Sequence, residues 1–264
     1  MPALTPTLRQ EYEDLFKTCQ TKPDRAAAVE RMVNQITSGK NRYDTVSAAT
    51  GVPWHFIGII HSLECSCSFG QHLHNGDPLT ARTVHVPKGR PKSGEPPFAW
   101  EESAKDSLDY EGFTDQTDWS MAATLYRFEA YNGWGYRGQG INSPYLWSFS
   151  QHYTKGKYVS DGTWSATAVS QQCGAAVLLR RMVERGLAQL PDQPVPDPNA
   201  GPLVVPYSTI KPRSEETLTR AMELQNWLNT FPGIFLKVDA ICAEKTSTAY
   251  QQVTGSYLPG DPRA

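Results

Sequence analysis

A chain of 264 residues is long enough to bury one large core or two modest ones. Its 39% hydrophobic and 20% charged residues fit a soluble globular protein, and 27 acidic against 25 basic side chains leave a net charge of −2, which supplies no long-range pull toward nucleic acid or an anionic membrane. No apolar run is long enough to span a bilayer, so membrane insertion is not expected.

In chain order, helical patterns are predicted over residues 7–20 and 24–38, the second capped by Asp24 ahead of the helix formers Arg25 to Glu30. A short helix from Tyr43 to Thr50 stops at Gly51. Pro53 suits the first turn of the next helix, which runs through Trp54-His55-Phe56-Ile57-Gly58-Ile59-Ile60-His61-Ser62-Leu63 and carries Glu64 near its end. Residues 71–77 and 82–86 read as short extended segments around a turn. The Pro-, Gly- and Lys-rich run 88–97 reads as an exposed loop. Helices follow at 100–110, 119–130 and 167–190. Seven prolines between Leu190 and Pro212 read as a semi-rigid spacer. Residues 213–264 then form a small module. The expected domains are therefore 1–190, a linker at 191–212, and 213–264.

Glu64 is the residue with the most chemical content. At helical spacing it shares a face with Ile57, Ile60 and His61. An apolar setting disfavours the charged carboxylate and raises its pKa, which suits a glycosidase acid that must protonate a leaving sugar oxygen. Asp77, in the turn Asn75-Gly76-Asp77-Pro78, is the candidate second carboxylate, and Thr80 and Thr83 are candidates to hold a water. The segment Phe128 to Tyr136 ends a helix at Asn132-Gly133 and enters an aromatic loop. There Tyr131 and Asn132 could hydrogen-bond substrate, and Trp134 and Tyr136 could stack on sugar faces, with Trp147 and Tyr153 as weaker stacking candidates. His61, His72, His74 and His85 cluster in sequence; His72 and His74 would share one face of a strand, and His74 is a further substrate contact. A zinc site built from these histidines is the metal alternative, although no His-Glu-x-x-His signature is present. The five cysteines match no disulfide or zinc framework and read as buried free thiols.

The helix ending in Glu64, followed by Ala130-Tyr131-Asn132-Gly133, resembles the lysozyme superfamily, with goose-type lysozymes and soluble lytic transglycosylases as the nearest likeness. Spanning roughly residues 43–180, the resemblance implies Glu64 as the acid and Tyr131 and Asn132 as cleft residues. Glu64-Cys65 stands where Glu-Ser is common. The inserted hairpin and Pro-rich loop look more like the Glu–hairpin–Asp layout of phage-type lysozymes. In the tail, Leu224-Gln225, then Asp239 and Thr246, resemble the three-helix peptidoglycan-binding module, with Ala240 and Ala243 where glycines are usual.

The resulting expectation is a mainly α fold with a small β-hairpin lobe and a small C-terminal helical module. The expected function is cleavage of the β-1,4 MurNAc–GlcNAc bond of peptidoglycan by a monomer without cofactor. A zinc amidase or peptidase, a chitinase- or chitosanase-like hydrolase, and a non-catalytic wall-binding protein are the alternatives. The N-terminus, Met1 to Pro6, lacks the regions of a secretory signal. Action on the wall then implies release through a membrane pore, as for a phage endolysin, or a dedicated secretion system.

Overall fold

A computed structural model describes residues 2–160, 162–191, 198–231, 234 and 236–264. The protein is mainly helical with one small two-stranded antiparallel sheet. Its helices are α1 (Pro6–Thr18), α2 (Ala26–Ser38), α3 (Lys40–Thr50), α4 (Trp54–Cys65), α5 (Trp100–Tyr110), α6 (Met121–Asn132), α7 (Gly135–Gly138), α8 (Pro144–Trp147), α9 (Ala175–Glu184), α10 (Glu215–Leu228) and α11 (Glu244–Thr254). Strands β1 (Lys157–Ser160) and β2 (Thr163–Ser165) lie between α8 and α9. The chain divides into two compact units, Met1–Arg181 with Leu190–Asp192, and Met182–Gln189 with Gln193–Ala264. The division thus falls inside α9, and much of the predicted spacer, residues 192–197, lies outside the described residues.

The first unit is organised around α4. Every residue of this helix from His55 to Leu63 is buried, as expected for a helix that is apolar all round. Helices α2 and α3 approach it closely at Gly58, where a Cβ would sit 2.6 Å from Ile36 and 3.1 Å from Tyr43. Phe56 stacks on Phe128 of α6 at 4.5 Å and meets Trp119 edge-on at 4.9 Å. Helix α1 is tied to α6 and α7 by a buried polar cluster. Tyr12 donates to Glu129 over 2.5 Å, and Arg137 pairs with Glu129 at 2.7 Å and with Glu11 at 3.0 Å. Glu129 is 2% exposed, so losing either partner would leave a buried polar group unsatisfied.

Several local expectations are corrected. Asp24 caps no helix: it lies in a 3-10 turn, Pro23–Arg25, and α2 begins at Ala26 without a side-chain cap. The last helix of the first unit is the shorter α9 in place of 167–190. Residues 71–86 form no strands. They are joined by a single bridge, Gln71 to Pro78, because side-chain bonds from Asp77 and Thr83 replace a backbone ladder. The hairpin forms instead at β1–β2, with Tyr158 opposite Trp164.

In the second unit, α10 and α11 enclose a core of Ala221, Leu224, Leu228, Leu236, Ala240, Ala249 and Leu258. Two helices, not three, occur among the described residues of 213–264. Gln225, 1% exposed, organises the connection between them. Its oxygen accepts from the backbone N–H of Asp239 and Ala240 at 3.0 and 2.9 Å. Its nitrogen donates to Asp239 Oδ1, the Ile241 carbonyl and Thr246 Oγ1 at 3.1–3.3 Å. Ala240 has φ +64°, whereas Ala243 is extended at φ −87°. A left-handed alanine is strained by roughly 1–2 kcal/mol, part of which glycine returns as unfolded-state entropy. Ala240→Gly should therefore stabilise the second unit by about 0.5–1 kcal/mol, and a lower unfolding midpoint in denaturant would refute this.

Candidate active site

The C-terminal ends of three helices supply the candidate site. Glu64 is the penultimate residue of α4; Ser66 and Cys67 follow with φ +49° and +57° and turn the chain away. Two contacts brace this end: Gln172 Nε2 donates to the Leu63 carbonyl at 2.6 Å, and Cys65 Sγ to the His72 carbonyl at 3.3 Å. The Glu64 side chain is open to solvent. Protein nonetheless crowds its other sides, and this desolvation raises its pKa above the usual carboxylate range, with the nearby Glu111 charge adding to the rise.

Tyr145 of α8 opposes that shift. It is 7% exposed and donates its hydroxyl to Glu64 Oε1 at 2.8 Å, a bond that favours the ionised carboxylate. Tyr131 joins the cluster from the end of α6. Its hydroxyl donates to the Leu73 carbonyl at 3.3 Å, and its ring lies 6.1 Å from Phe113 in a stacked arrangement. Burial, then the charges of Glu64 and Glu111, push its pKa far up; it is a neutral donor. Glu111 follows the last turn of α5, is solvent-exposed, and has its pKa raised by desolvation. The negative ends of these helix dipoles act in the same direction on Glu64. The arrangement places a carboxyl group with a raised pKa at solvent contact, near the charge of a second carboxyl, Glu111, and beside two phenols.

Tyr145→Phe should move the ionisation of Glu64 to higher pH, because the bond it removes stabilises the charged form. A carboxyl NMR titration checks this, and a shift to lower pH would contradict the assignment.

The predicted residues are distributed unevenly. Glu64 and Tyr131 are together, and Asn132 is exposed at the adjoining end of α6. Asp77 is corrected. It is 6% exposed, covered by its own turn, and its oxygens accept from Val84 N–H at 2.8 Å, His85 N–H at 3.0 Å and the His85 ring at 2.6 Å. Burial works against ionisation, but the His85 backbone and ring and the Val84 N–H outweigh it and hold the carboxyl at about 2. Asp77 therefore organises a loop, and its lone pairs are spent there. Thr83 is likewise a pillar of that loop at 2% exposure, so it is not placed to bind substrate.

His74 has a fully buried side chain bonded to Asp106 at 2.8 Å, which removes it from the substrate contacts. Trp134 packs against Tyr126 at 5.1 Å, and Tyr136 meets Tyr158 and Trp164 edge-on at 5.2 and 6.1 Å. Trp147 and Tyr153, 1% and 3% exposed, are core and cannot stack on a sugar.

The histidines do not converge. His61 lies 2.9 Å from the Tyr43 hydroxyl and 3.1 Å from the Ser68 carbonyl, and burial lowers its pKa to about 4. His72 sits 2.6 Å from Ser103 and 2.8 Å from the Ala81 carbonyl. Among the described residues no three His, Cys, Asp or Glu side chains are placed to hold a metal. The five cysteines are buried and form no disulfides, and burial pushes Cys65 up to about 12, too high for a ready thiolate.

Tyr145, Glu111 and Gln172 were not predicted from the sequence. Tyr145 had one indirect signal, the Ser143-Pro144 start of a short helix whose buried face it shares. Glu111 had none beyond its place after a helix. No family, curated protein or solved structure matches the chain.

Proposed function

We propose that this protein is a glycoside hydrolase acting on the β-1,4 MurNAc–GlcNAc bonds of peptidoglycan, with Glu64 as the general acid. The observation that carries this reading is the state of Glu64. It is exposed to solvent, its pKa is raised chiefly by desolvation, and the Tyr145 hydroxyl orients it at 2.8 Å. Such a group can donate a proton to the glycosidic oxygen as the C1–O bond breaks. With Asp77 committed to its loop, Glu111 is the second carboxylate of the mechanism. It either takes a proton from the attacking water or offsets the positive charge of the oxocarbenium-like transition state. Tyr131 and Asn132 line the substrate side. If water is not delivered, a hydroxyl of the muramic acid itself attacks, and the product is an anhydro sugar.

Mass spectrometry of fragments released from purified sacculi tests the reading. Muropeptides with reducing muramic acid are expected for a hydrolase, and anhydro ends for a transglycosylase. Release of peptides alone, or cleavage of chitin oligomers in place of sacculi, would replace this function with one of its alternatives.

A further inference from the structure

The segment from Thr83 to Arg90 is a closed loop with more internal hydrogen bonding than an exposed connection needs. Thr83 N–H donates to the Arg90 carbonyl at 2.8 Å, and Gly89 N–H to the Thr83 carbonyl at 2.8 Å. The Thr83 hydroxyl donates to the Pro87 carbonyl at 2.5 Å and accepts from Arg90 N–H at 2.9 Å. Asp77 binds the loop at three further points. These bonds fix the backbone, yet the side chains at its tip face water: Val84 is 62% and Val86 86% exposed. A rigid loop presenting apolar side chains loses little entropy when it binds.

Position and charge narrow the occupant. The loop grows from the Gly76-Asp77 turn, and a Cβ at Gly76 would stand 3.9 Å from the backbone oxygen of Glu64. The loop therefore stands beside the end of the helix that carries the proposed acid. At its base Arg90 lies over the ring of Tyr110 at 4.9 Å, and Tyr110 is 52% exposed. Lys88 and Lys92 are exposed; the Lys92 backbone N–H donates to Asp106 Oδ1 at 3.3 Å, while among the described residues neither lysine ammonium group is in a salt bridge. The patch is apolar at its tip and cationic at its edge. The complementary ligand is short, carries methyl groups and is negatively charged.

We infer that the Thr83–Arg90 loop binds the acidic stem peptide carried by muramic acid, with Val84 and Val86 against its alanine methyls and Lys88 and Lys92 facing its carboxylates. This inference rests on the peptidoglycan reading and deepens it, because it makes the peptide a determinant of which glycan is cut. An amino-sugar polymer without the peptide offers the loop acetamido methyls but no alanine side chains and no peptide carboxylates.

Two measurements on the full chain decide it. The first compares cleavage of intact sacculi with cleavage of the same sacculi stripped of peptide, using wild type and the Val84→Ser/Val86→Ser variant. The second follows binding of the free, amidase-released stem peptide by NMR, reading the valine methyls. The variant keeps every backbone bond of the loop, and an unchanged unfolding midpoint verifies this. It should lose about tenfold on intact sacculi and nothing on stripped glycan. Lys88→Glu should weaken peptide binding, and added salt should weaken it in wild type. Cleavage that ignores the peptide, with no shift of the valine methyls, would overturn the inference and leave the glycosidase reading standing. Peptide binding without cleavage of either substrate would keep the loop assignment and remove the glycosidase reading. Absence of both would remove the two together.

Discussion

Glu64→Gln is expected to lower fragment release from sacculi by roughly 10²–10⁴-fold, the range for loss of a positioned general acid. Glutamine keeps the shape and can still accept from the Tyr145 hydroxyl, but it has no proton to give to a leaving oxygen. The same substitution carries a second signature that activity alone would miss. The folded-state pKa of Glu64 is raised, chiefly by desolvation. Its contribution to stability is therefore complete below the unfolded carboxylate pKa and is lost as pH rises through the folded value. Glutamine never ionises, so the variant should match wild type in acid and become relatively more stable as pH rises. Melting both proteins from pH 4 to 8 checks the sign. A variant that loses stability with rising pH relative to wild type would mean that Glu64 is held ionised, and it could not then serve as the acid.

Gly174→Ala is expected to be the most damaging small substitution in the first unit. A Cβ there would sit 2.1 Å from the Leu146 carbonyl oxygen, 2.4 Å from its carbon and 2.7 Å from Trp147 N. All three atoms belong to the backbone, so no side-chain rotation relieves the overlap. The approach is fixed from the other side by Gly174 N–H donating to the Ser148 carbonyl at 2.9 Å. One of the two segments must move, at a cost of about 3 kcal/mol, which lowers the melting temperature by roughly 6–12 °C. Where α8 gives way, it carries Tyr145 with it. Residual activity should fall further than stability alone requires, because the phenol loses its position over Glu64. Wild-type thermal stability in the alanine variant would contradict the packing described for α8 and α9.

The parts of this molecule that were legible in the sequence are those settled by local pattern. Helix α5 occupies the predicted residues, Trp100–Tyr110, since its apolar positions recur at helical spacing. The helix that carries Glu64 was legible because its apolar run follows Gly51 and Pro53 directly. The hairpin was misplaced for a physical reason. Alternation at His72 and His74 suggested strands, but the Asp77 side chain satisfies the backbone of Val84 and His85 that a ladder would have used. The signal for the true hairpin, Asp161-Gly162 between Tyr158-Val159 and Trp164, was present and more specific. Tyr145 was not legible as a partner of Glu64, because 81 residues separate them and only the packing of α8 closes that gap. The contact of Gln225 with Asp239 in the second unit, at 3.2 Å, was not legible, because 14 residues separate them and only the folded connection between α10 and α11 brings them together.

The burial of α4 has a consequence for how the site can fail. A carboxyl on a surface loop can be lost to local opening while the rest of a protein stays intact. Here the residues leading to Glu64 are covered from His55 to Leu63, so their amides should be among the slowest to exchange in the first unit. Hydrogen exchange along this helix would read how firmly the core holds the carboxyl at its end in place.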